Sequence, residues 1–141
     1  MKGIETLIRL SKRTLDELRK HQVALETEKA KLENGIKALQ HELEKEMLMA
    51  AQAIEMASFY GGFAKNIRER QQKLKDEIVK VDVDLTKISD EILIAFADLK
   101  KYEIARDMAK ERKKAEEARK DTIAMDEIAA TKFIRKAKEE Q

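Results

Sequence analysis

No proline occurs anywhere in the chain, and glycine occurs only at Gly3, Gly35, Gly61 and Gly62. Ordinary usage would place roughly seven prolines in a chain this long. Proline removes a backbone donor and glycine costs about 1 kcal/mol inside a helix. A sequence almost without either can run as unbroken helix, whereas all-β folds, α/β folds and loop-built active sites need the turns that these residues supply. Disorder fits poorly, because 43% of the residues are apolar and they recur at regular spacing.

That spacing is heptad-like. Steps of seven from Ile4 give Ile4, Ser11, Leu18, Leu25, Leu32, Leu39 and Glu46. The companion row gives Ile8, Leu15, Gln22, Lys29, Ile36, Leu43 and Ala50. Together they form a coiled-coil seam from about residue 4 to residue 50. A second seam reads Tyr60, Ile67, Leu74, Val81, Ile88, Ala95, Tyr102 and Ala109, then Glu116, Ile123, Ala130 and Ala137. Its companion is Ala64, Gln71, Ile78, Leu85, Ile92 and Leu99, followed by Arg106, Lys113, Lys120, Glu127 and Ile134. The double seam thins over Arg106 to Lys120 and recovers at Ile123.

The two registers are out of phase across Met49 to Gly62, which predicts a reversal within 52–60. Ser58 is the best N-cap there, and Gly61-Gly62 offers an alternative turn. The expected fold is all-α: one coiled-coil domain over 1–141, with helix 1 at about 3–52, a turn at about 53–58 and helix 2 at about 59–137. The helices form an antiparallel hairpin of roughly 75 Å and roughly 115 Å arms at 1.5 Å per residue. Reversal near residue 56 sets Ile4 opposite a residue close to 108, so about 30 C-terminal residues overhang without an intrachain partner.

Little in the sequence supports chemistry. There is no cysteine, and His21 and His41 lack a second ligand at metal-binding spacing, so neither a disulfide framework nor a metal site is expected. No glycine-rich phosphate loop occurs, and a two-helix rod has no water-excluding cleft to tune its carboxylates. A non-enzyme without cofactor is expected. Thirty basic residues against 28 acidic ones leave a net charge of +2. The most basic run, Arg106 to Lys120, interleaves Asp107, Glu111, Glu116 and Glu117 and has no aromatic to stack bases, so nucleic acid is not expected as a partner. The N-terminal residues show no secretory apolar region, and the least polar stretch, Met47 to Ala57, is too short to span a bilayer. A cytoplasmic protein without direct membrane insertion is expected.

Charge and apolar side chains are nevertheless unevenly placed. Residues 1–20 are basic and residues 76–98 acidic. Three of the six aromatics, Phe59, Tyr60 and Phe63, fall within five residues beside the turn. They either plug the hairpin tip or dock another protein. Ile123, Met125, Ile128, Ala129, Phe133 and Ile134 lie on the overhang, where they fold back, enter a partner or pair with a second copy.

Tyr60-Gly-Gly-Phe63 with Ile67, Leu99-Lys-Lys-Tyr102-Glu-Ile104, and Met125-Asp-Glu-Ile-Ala129 with Phe133, Arg135 and Lys136 are ordered motifs rather than mere composition. On these the chain resembles the flagellar export protein family FliJ. The resemblance implies an antiparallel coiled coil that acts as a stalk and general chaperone in flagellar type III export, and so in flagellum biogenesis, motility and chemotaxis. It implies insertion into a hexameric export ATPase, promoting ring assembly and hydrolysis. Contact with the cytoplasmic linker of the export gate, contact with export chaperones, and a place peripheral to the inner membrane are implied as well. By position, the gate-contact residues would be Phe63, Ile67, Arg70 and Leu74. The ATPase-facing residues would be Arg9, Lys12, Arg13, Asp126, Glu127, Ile128 and Phe133. Free chain is expected as a monomer. The rival readings are the equivalent stalk of a virulence injectisome and a homodimeric coiled-coil scaffold.

Overall fold

The computed structural model describes residues 2–140. Among them the chain forms two helices, α1 (Lys2–Gln52) and α2 (Ile54–Glu139). This is the all-α hairpin that the two seams predict. The helices have 51 and 86 residues, about 75 Å and about 130 Å of helix.

The break is a single residue. Ala53 is not helical, and its carbonyl oxygen accepts from the Met56 and Ala57 amides at 3.2 and 3.3 Å, so it already opens α2. Helix 2 therefore starts at Ile54, five residues before the expected 59. Ser58 is not the cap. It lies inside the first turns of α2, where its hydroxyl donates to the Glu55 carbonyl oxygen at 3.0 Å. Gly61 and Gly62 are helical too, and neither is in the left-handed region. Neither glycine makes the turn. Nothing in the chemistry of Ala53 breaks a helix; the antiparallel pairing of α1 with α2 requires the chain to reverse here.

Two compact units divide the chain. The larger comprises Lys12–Phe96 and contains the turn. Its core includes these two clusters. Leu39, Leu43, Ala64 and Ile67 pack with Tyr60, Phe63 and Leu74. Leu25, Val81 and Ile88 pack with Leu18, Leu32, Leu85 and Ile92. Among the described residues of this unit, Gln71 and Lys29 make polar contacts across the two helices. Gln71 is buried, and its Nε2 donates to the Ile36 carbonyl oxygen and to Gln40 Oε1, both at 3.2 Å. Lys29 Nζ meets Asp82 Oδ1 at 2.8 Å. Steps back along α1 are matched by steps forward along α2, as antiparallel pairing requires.

The other unit joins the chain up to Ser11 with the chain from Ala97 onward. Ile8 and Leu99 are buried in it, and Ile4, Tyr102, Arg106 and Ala109 are half-buried. Every described residue after Ala109 is exposed, although α2 continues to Glu139. The expected overhang thus starts where the double seam thins.

Candidate partner-binding surfaces

Three surfaces stand out, each built from side chains that the seam does not use. The first surrounds the turn. Ile54 is 93% exposed and Phe59 78%, with Leu48, Met47 and Met56 also open to solvent. Between the helix ends, Glu46, Met56, Phe59, Tyr60 and Phe63 line a groove of about 290 Å³. The expected plug at the tip is only half realised. Tyr60 and Phe63 pack on the first core cluster, whereas Phe59 points away from it.

The second surface lies farther along the same unit. Gly35, Ala38, Leu39 and Glu42 of α1 face Arg70, Lys73, Leu74 and Glu77 of α2 across a groove of about 480 Å³. It exists because Gly35 and Ala38 are small. A Cβ built on Gly35 would come within 3.2 Å of Leu74 Cδ1. Both signs of charge rim this groove over an apolar floor, a setting suited to an extended or helical peptide with an apolar anchor.

The third surface is the exposed stretch of α2. Ile123, Met125, Ile128, Phe133 and Ile134 are each at least half exposed. At 100° per residue they are distributed around the helix rather than along one stripe. A helix that is apolar on several sides is one that a partner encloses.

The sequence-derived candidates divide among these surfaces. Arg70 and Leu74 line the mid-hairpin groove, and Phe63 lines the groove beside the turn. Ile67 does not belong with them. It is 0% exposed, the most deeply buried side chain of the first cluster, and it holds α2 against α1 instead of presenting a contact. Arg9, Lys12 and Arg13 are exposed, with Arg13 Nε in an ion pair with Glu17 at 3.5 Å. Asp126, Glu127, Ile128 and Phe133 are exposed as well. Arg9 sits on the paired stretch of its unit, whose last half-buried position is Ala109, and Asp126 lies about 25 Å farther along the helix. Arg9 and the residues from Asp126 onward therefore do not form one patch. The α1 side of the mid-hairpin groove went unrecognised in the sequence. Its only signal there is a pair of small residues, Gly35 and Ala38, beside the seam position Ile36.

Among the described residues no cluster of acidic or histidine side chains could hold a metal ion, and no helix is long and apolar enough to cross a membrane. The family model of the flagellar FliJ protein matches residues 1–138, nearly the full length. The chain belongs to the FliJ family. This makes it a flagellar export-related protein, from a family of non-enzymatic export components. No curated protein and no solved structure matches it. The family match spans the turn, both grooves and nearly all of the exposed part of α2, so all three surfaces belong to the FliJ-like region.

Proposed function

We propose that this FliJ-family chain is the non-enzymatic stalk and general chaperone of the flagellar type III export apparatus, working at the cytoplasmic face of the inner membrane. The stretch of α2 after Ala109 enters the ring of the hexameric export ATPase and promotes its assembly and turnover. The observation that carries this reading is the character of that stretch: continuous helix, exposed at every described position, apolar on several sides. A ring encloses such a helix, while a flat surface covers only one of its faces. Ile128 and Phe133 supply apolar contact there, with Asp126 and Glu127 beside them. Arg9, Lys12 and Arg13 supply basic contacts.

The gate linker binds on the mid-hairpin groove, through Arg70 and Leu74 of α2 and the facing Gly35, Ala38 and Glu42, with Phe63 nearer the turn. Ile67 acts indirectly, by fixing the two helices at the spacing that shapes the groove. Export chaperones are further partners.

Titration of the full chain into its cognate export ATPase tests the reading. Turnover and hexamer content rise with the full chain and stay at baseline when residues 112–141 are removed. Unchanged turnover through a saturating titration would overturn it. A homodimeric scaffold uses the same exposed helix differently, and light scattering separates the two. A concentration-independent mass near 16.3 kDa supports the stalk, and a stable dimer supports the scaffold.

A further inference from the structure

Apart from Phe63, the apolar end of the hairpin has no role in the stalk reading. From Met47 to Ala64 the only charged residue is Glu55. Exposed Met47, Leu48, Met49, Ile54, Met56 and Phe59 surround the turn. The cap offers few directional groups: Ser58 already donates to the Glu55 carbonyl oxygen, and beyond it only Gln52 and Glu55 carry polar side chains outside the aromatic cluster. A convex apolar cap with so few donors and acceptors specifies a protein partner poorly. An acyl-chain boundary requires none.

Basic side chains stand directly behind the cap. On α1 Lys45 follows Glu46, about 12 Å of helix from Ala53, and on α2 Lys65 lies about 18 Å from it. From Lys65 the α2 flank continues with Arg68, Arg70, Lys73 and Lys75 against Glu69 alone. All five are exposed, and among the described residues none is in an ion pair. The α1 flank mixes Lys37 and Lys45 with Glu33, Glu42, Glu44 and Glu46, so the net positive charge lies on the α2 side.

From this juxtaposition we infer that the hairpin end docks on an anionic lipid surface, with its α2 flank facing the headgroups. Interfacial helices bury their apolar face to about 5–10 Å, within the height of a cap whose one charged side chain is Glu55. Lys45, Lys65 and Arg68 then lie on the headgroup side of the buried cap. Docking is peripheral, so it needs no spanning segment. It refines the expectation of no membrane insertion to none beyond the interface.

Vesicle flotation of the full chain tests this, with phosphatidylcholine vesicles and with vesicles of phosphatidylcholine and phosphatidylglycerol at about 70:30. Preferential binding to the anionic vesicles is expected, at about tenfold or more over the neutral ones, since each basic residue near the surface contributes about fivefold. Ile54→Asp with Phe59→Asp abolishes it, and Lys65→Glu with Arg68→Glu reduces it about tenfold or more. All four positions are exposed, so unchanged helix melting verifies the fold of both variants. No binding to the anionic vesicles, equal binding to both kinds, or undiminished binding by Ile54→Asp with Phe59→Asp would overturn the proposal. So would a lipid-free dimer that the same pair dissolves, which would assign the cap to a second copy. None of the four residues belongs to the proposed ATPase or gate contacts, so stimulation of the ATPase is read independently.

Discussion

Among the described residues Gln71 is the one buried polar side chain, in a seam whose neighbouring layers are Ile67 and Leu74. Its two hydrogen bonds to the α1 side tie one α2 position to Ile36 and Gln40, which a slipped pairing would lose. Gln71→Ala removes both bonds and leaves a small void, and is expected to cost about 1–2 kcal/mol in urea denaturation. Gln71→Leu recovers most of that loss. The Ile36 carbonyl retains its helical acceptor role, and exposed Gln40 returns to water. Lys29 occupies a seam position as well and solves the problem differently. Its ammonium donates to Asp82 at the edge of the seam, and this hydrogen bond, with the Asp82 charge and then Glu33, raises its pKa above the ordinary lysine value against a smaller opposing effect of burial. A group whose pKa rises on folding contributes stability that is complete below its unfolded value and is lost as pH climbs through the folded one. The Lys29 contribution is therefore constant at neutral pH and disappears in strong alkali. Melting curves from neutral to strongly alkaline pH should show a steeper fall for the native chain than for Lys29→Met.

Helix α2 begins with two glycines in its third turn and still forms. Neither Gly61 nor Gly62 has another side chain within reach of an added Cβ, and neither takes a left-handed backbone. Nothing in the packing requires them. Gly61→Ala and Gly62→Ala are each expected to stabilise by about 0.5–1 kcal/mol, measured by thermal unfolding. Gly35→Ala has the same helical gain, but its Cβ meets Leu74 Cδ1 at 3.2 Å and pushes that side chain into the groove. Its net gain is smaller, and it narrows the groove that the gate linker is proposed to fill.

Every described residue after Ala109 is exposed, so that stretch contributes helix to the molecule but no core. Removal of residues 112–141 should leave the midpoint of thermal unfolding within a few degrees of the full chain, while the helical ellipticity falls in proportion to the residues removed. A drop of the midpoint by 10 °C or more would mean that the stretch packs on the hairpin in solution. The same truncation is expected to remove ATPase stimulation, which would place function in a segment that stability does not need.

The heptad rows were legible in the sequence because burial in a coiled coil is set by period. All fourteen positions of the first two rows, including Ser11, Gln22, Lys29 and Glu46, are buried or half-buried. The second pair of rows holds to Arg106 and Ala109 and then becomes exposed, as the loss of apolar character at Lys113 and Glu116 foretells. Three features were not legible. The turn falls at Ala53, a strong helix former, because the place where two helices stop pairing depends on their mutual register and not on local propensity. Ile67 and Phe59 are both large apolar residues beside the turn, yet one is wholly buried and the other faces solvent, since their direction follows from where α1 lies. The groove between Gly35 and Leu74 needs residues 39 positions apart to meet. Periodicity along one chain determines that two helices form and which faces they bury. Only the pairing between them decides where the chain reverses, which apolar side chains stay outside, and what surface is left for a partner.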